Sequence, residues 1–94
     1  MYVRLKFTEY LKDKLERLIP SKINLEEGSS VSQLIDKLRS ILGKSDFEQL
    51  FTGVAIVVNG KLVSKSEIRT RTLSDGDEVI FHSSSWRRMT AKIS

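Results

Sequence analysis

No cysteine occurs in this chain. That excludes disulfides, thiolate-built zinc sites, iron–sulfur clusters, thiol nucleophiles and any persulfide carried on the protein's own sulfur. It also fits a reducing compartment, and a cytoplasmic location is expected. His82 is the only histidine, so no metal site or catalytic triad built on several imidazoles can form. Pro20 is the only proline, no glycine follows Gly76, and no acidic residue follows Glu78. No apolar run approaches the roughly 20 residues that span a bilayer. The Met1–Phe7 stretch mixes charge with apolar residues, unlike a signal peptide.

What is present reads as one soluble domain: 94 residues, 39% hydrophobic and 30% charged. The formal net charge is +4, which admits nucleic acid, an anionic surface or an acidic protein groove as partner.

Along the chain, Val3, Leu5 and Phe7 alternate with Tyr2, Arg4 and Lys6, the pattern of a half-buried strand. Leu11, Leu15, Leu18 and Ile19 then recur at helical spacing, with Pro20 as the stop. Ile23 and Leu25 mark a second short strand. Val31, Leu34, Ile35, Leu38, Ile41 and Leu42 form the stripe of the main helix, predicted over 31–42. Ser30 and Gln33 can close a capping box at its start, and Gly43 can end it in a left-handed conformation. Phe47, Leu50 and Phe51 predict one helical turn under a loop. Val54 to Val58 is apolar throughout, as a strand buried on both faces would be. Asn59-Gly60 is a type I′ hairpin signal with Lys61–Val63 as the return strand. Ser64 to Thr72 reads as a loop anchored by Ile68. Asp75-Gly76-Asp77 turns the chain into a last strand, Glu78 to His82, expected at the centre of the fold.

This order predicts an α+β, β-grasp arrangement: a mixed four- to five-stranded sheet with one main helix packed on one face. Residues 1–82 make the domain, and 83–94 a basic tail.

Several features taken in order carry a family resemblance. They are the opening strand, the segment Leu25 to Leu34, the run Val54 to Val58 with its Asn59-Gly60 turn, and Leu73-Ser74-Asp75-Gly76-Asp77-Glu78-Val79. Together they resemble the sulfur-carrier branch of the ubiquitin-like β-grasp proteins, which holds the small subunit of molybdopterin synthase and the thiamin-pathway sulfur carrier. The resemblance implies a small carrier working through protein partners, namely a carrier-dependent synthase or an activating-enzyme-like groove. Carriers of that branch end in Gly-Gly, whose bare backbone threads a narrow channel and whose carboxylate becomes a thiocarboxylate.

The pattern departs in the tail. Counted without gaps from Asp75-Gly76-Asp77, the branch's Pro-Pro pair falls on Ser83-Ser84 and its Gly-Gly on Arg87-Arg88. The expectation is therefore a non-catalytic interaction module that does not form a thiocarboxylate. A related possibility is a regulator that occupies the carrier's groove without delivering sulfur. The candidate partner-binding residues are Phe81 and His82 at the strand end and Trp86, Arg87 and Arg88 in the tail. Trp86 beside two arginines also allows nucleic-acid binding as the alternative, by stacking plus phosphate pairing.

Other chemistry is not expected. Asp75, Asp77 and Glu78 suggest a carboxylate cluster, but turn chemistry explains the two aspartates; Ser83-Ser84-Ser85 has no base nearby, and Gly28 and Gly60 lie in turns rather than a phosphate loop. No cofactor or metal is expected, and no membrane contact. Arg4, Lys6, Lys22 and Lys61 are candidates for a basic outer sheet face; partner binding and the blunting of sheet edges explain them equally well.

Overall fold

The computed structural model describes residues 1–82, less the side chains of Glu9 and Tyr10. In chain order the elements are β1 (Tyr2–Phe7), α1 (Glu9–Leu15), β2 (Lys22–Asn24), α2 (Val31–Leu42), α3 (Lys44–Phe51), β3 (Ala55–Val58), β4 (Lys61–Val63), a 3₁₀ turn (Lys65–Glu67) and β5 (Glu78–His82). Across the described residues five strands form one sheet in the order β2-β1-β5-β3-β4. β5 pairs parallel with β1 and antiparallel with β3, while β2 and β4 close the two edges antiparallel. The architecture is the β-grasp expected from the sequence, with β5 in the middle.

The two faces follow from the period of the strands. Val3, Leu5, Ile23, Ile56, Val58, Val63, Val79 and Phe81 point to the helix side and are buried. There they meet Leu11, Leu15, Val31, Leu34 and Leu38 in a single core. Burying each such side chain contributes about 1.5–3 kcal/mol, so this layer carries most of the fold's driving force.

α2 is fixed at its start by several polar ties. Ser30 Oγ accepts from the Gln33 amide, and the Gln33 side chain accepts from the Ser30 amide. The amides of Val31 and Ser32, which have no partner within the helix, donate to the carbonyls of Arg71 and Ile68. The 68–73 segment is thereby fastened to the helix, and a bridge between Ser30 and Thr72 adds to it.

Several expectations are corrected. α1 ends at Leu15, whose carbonyl accepts from both Leu18 and Ile19 amides in a tight turn. That turn sends Ile19 inward and leaves Leu18 58% exposed, so Leu18 is not part of the core stripe. Ile41 is also exposed: α2 buries Val31, Leu34 and Leu38, with Ile35 and Leu42 packed partly buried against the core, and Ile41 falls outside that stripe. The single turn expected near Phe47 is instead the eight-residue helix α3. Gly43 has the positive φ expected of a helix end, 89°, but its ψ of 147° is extended, and the same residue caps α3. β3 is not buried on both faces: Ile56 and Val58 are buried, while Ala55 and Val57 are half-buried on the opposite face. Lys61 stands opposite Val58, on the helix side of the edge, and so leaves the outer basic group. The 64–72 loop contains the 3₁₀ turn, and Ile68 packs against the core from it.

Candidate functional site

β5 leaves the sheet between the C-terminal end of β1 and the start of β3. Phe81 is in register with Phe7, and His82 with Ala55. The Thr8 amide donates to the Phe81 carbonyl at 3.2 Å, and Thr8 Oγ1 lies 3.0 Å from His82 Nδ1. These bonds hold the end of β5 at His82.

Beneath that point lies an aromatic cluster. Phe81 stacks on Phe7 with centroids 5.4 Å apart and meets Phe51 edge-on at 5.3 Å. Phe51 in turn stacks on Phe47 at 4.5 Å, and the Arg39 guanidinium sits 5.1 Å from the Phe47 ring centre. Aromatic pairs in these geometries contribute about 0.5–1.5 kcal/mol each beyond burial. The end of β5 rests on an aromatic platform built from β1, α3 and β5.

The five candidate residues fare differently. Phe81 is fully buried; its side chain points to the helix side and is a pillar of the platform rather than a surface contact. His82 is on the opposite face, half-buried, and held against Thr8. Trp86, Arg87 and Arg88, on which both the protein and the nucleic-acid readings of the tail rest, lie outside the described residues.

The acidic turn is structural. Asp75 Oδ1 accepts from the Tyr2 amide at 2.7 Å, and Asp77 accepts from the Ser74 amide and from Asn59 Nδ2. Among the described residues no group of three His, Cys, Asp or Glu side chains could hold a metal ion, and no helix is long and apolar enough to cross a membrane. The Glu67 carboxyl is held below its ordinary range by the hydrogen bond from the Ser64 amide, then by the Ser64 hydroxyl, with Arg71 adding a smaller pull. It stabilises the 3₁₀ turn.

One feature was missed from sequence. On the sheet face away from the helices, Leu62, Val57, Ile80 and Lys6 fall into one cross-strand row over β4, β3, β5 and β1. The signal was available. A two-residue Asn59-Gly60 turn forces Val57 opposite Leu62, and reading β3 as buried on both faces concealed that both are outward.

A family model for the ThiS family matches residues 5–81. The chain belongs to the ThiS family. The match runs from within β1 to the penultimate residue of β5, so it covers the sheet and helices and stops short of the tail. No curated protein matches the sequence. Among solved structures, a Pyrococcus furiosus protein described as molybdopterin converting factor, subunit 1 is 27% identical, with a TM-score of 0.66 over 87% of this chain and 95% of its own. The Haloferax volcanii HVO 2177 protein is 20% identical, with a TM-score of 0.63 over 87% of this chain and 81% of its own. Small archaeal modifier protein 1 of the same organism is 14% identical, with a TM-score of 0.58 over 86% of this chain and 94% of its own. The last two likenesses concern the fold. This ThiS-family chain is thus a ubiquitin-like β-grasp protein of the sulfur-carrier type, a group of small carriers rather than enzymes.

Proposed function

We propose that this ThiS-family chain is a non-catalytic, carrier-like interaction module that engages a protein partner at the β5 exit and does not deliver sulfur through a terminal thiocarboxylate. The observation that carries the reading is one of register. β5 is the central strand, its end is fixed by Thr8 and Ala55, and counting on from the Asp75-Gly76-Asp77 turn puts Arg87-Arg88 where carriers have Gly-Gly. Two arginine side chains do not fit a channel shaped for bare backbone. The partner class follows from the family and from the Pyrococcus neighbour: a carrier-dependent synthase, or the groove of an adenylating activating enzyme.

The test is intact-mass measurement after incubating the full chain with an activating enzyme, ATP and a sulfur donor, beside a carrier ending in Gly-Gly as positive control. An unchanged mass, with the control converted, is expected. Exchange of a carboxylate oxygen for sulfur would overturn the reading.

A further inference from the structure

Asn59 and Gly60 are adjacent in the turn between β3 and β4, with φ of 50° and 84°. The sequence has one other asparagine, Asn24, and Leu25 follows it. The two sites differ in chemistry. A backbone nitrogen can attack the carboxamide carbon of the asparagine before it, and glycine leaves that nitrogen unshielded by a side chain. At Gly60 nothing lies within 4 Å of where a Cβ would stand, and both turn residues are exposed to water.

The fold engages the same carboxamide at both ends. Nδ2 donates to Asp77 Oδ1 at 2.9 Å, and Oδ1 accepts from the Glu78 amide at 2.9 Å. Asp77 also accepts from the Ser74 amide, so the group is tied to the turn that begins β5. To meet the Gly60 nitrogen, the carboxamide must turn out of both bonds, which slows ring closure while the hairpin stays against β5.

We propose that Asn59 is a modification site, deamidated by water when the β3–β4 turn parts from the β5 turn and protected while the two are joined. Water is the co-reactant, and no cofactor takes part. The Gly60 nitrogen bonds to Asn59 Cγ and gives up its proton to water; the Cγ–Nδ2 bond breaks, ammonia leaves, and a succinimide closes. Water then opens the ring at either carbonyl, giving aspartate or isoaspartate. The net change is water consumed and ammonia released, with nothing oxidised or reduced.

The product does not restore the tie. Aspartate has an oxygen where Nδ2 donated, so two carboxylates face each other at the Asp77 contact. Isoaspartate adds a methylene to the backbone and disturbs the turn that sets Val58 opposite Lys61. Either product loosens the head of the central strand. A molecule that has opened there is marked, and stays marked.

The test incubates the full chain in mildly alkaline buffer with and without urea, beside the isolated peptide of residues 57–62, and maps the digests by mass. The peptide and the chain in urea are expected to exchange NH2 for OH at Asn59 about tenfold faster than the native chain, with Asn24 unchanged. Isomerisation at Asp75-Gly76 leaves the mass unchanged and does not enter this reading. The deamidated chain, returned to native buffer, is expected to unfold at lower urea than the parent and to exchange its Glu78 amide faster.

Equal rates with and without urea, or conversion at Asn24 that keeps pace with Asn59, overturns the proposal. So does a deamidated chain with the parent's urea midpoint and Glu78 exchange. Conversion of the peptide verifies the conditions, so a chain that stays unconverted in urea also counts against it.

Discussion

Asn59 Nδ2 donates to Asp77 Oδ1 at 2.9 Å, joining the β3–β4 hairpin turn to the turn that launches β5. The same amide group accepts from the Glu78 amide at 2.9 Å, and the Asn59 amide donates to the Glu78 carbonyl. One side chain thereby aligns two loops distant in sequence, while its own backbone sits at φ 50°. Replacement by alanine removes both side-chain bonds and strains the turn, and should cost about 1–2 kcal/mol. Asn59→Gly should recover part of that loss through its tolerance of positive φ. Urea denaturation of the two variants checks the order.

Ser30→Ala breaks the capping box at the head of α2. The expected loss is about 1 kcal/mol. Because Val31 and Ser32 amides are bonded to the 68–71 segment, hydrogen exchange should quicken in that segment as well as in the helix.

Glu67 gives a pH signature. Its carboxyl is held below the ordinary range in the folded state, first by the Ser64 amide and then by the Ser64 hydroxyl. A depressed folded value means that the contribution is full above the unfolded value, about 4.3, and is lost as the pH falls through the lower folded one. An NMR titration should find the Glu67 carboxyl below the ordinary glutamate value, and Ser64→Ala should raise it.

Phe81 and His82 are neighbours in sequence with opposite duties, and substitutions should separate them. Phe81→Ala removes the centre of the aromatic cluster and should cost about 3–5 kcal/mol, a large part of a typical domain stability of about 5–15 kcal/mol. His82→Ala should stay within about 1 kcal/mol. Thermal denaturation distinguishes them.

Much of this was legible from short-range chemistry. The capping box, the Asn59-Gly60 turn and the alternation of β1 each depend on residues close in sequence, and each formed as read. Leu18 was misread because helical spacing continued past Leu15, while the Leu15 carbonyl was already closing a turn. α3 was shortened because its apolar residues cluster at Phe47, Leu50 and Phe51, leaving Lys44–Asp46 without a stripe. The candidate site was less legible. A strand's period of two puts Phe81 and His82 on opposite faces, so the sequence itself argued against both facing a partner. The Asn59–Asp77 bond needed the meeting of two turns distant in sequence, which no local pattern supplies.

The parallel pairing of β1 with β5 joins Arg4 to Glu78, near the two extremes of the described chain. During synthesis, β1 and β3 each wait with an open edge until Glu78–His82 has emerged, since β5 is the strand that lies between them. Loop closure over so long a span makes assembly slow relative to helix formation. A nascent chain halted before Asp75 would therefore expose two adjacent strand edges to proteases and to other chains. Completion of the last strand converts a vulnerable polypeptide into a protected domain in one step.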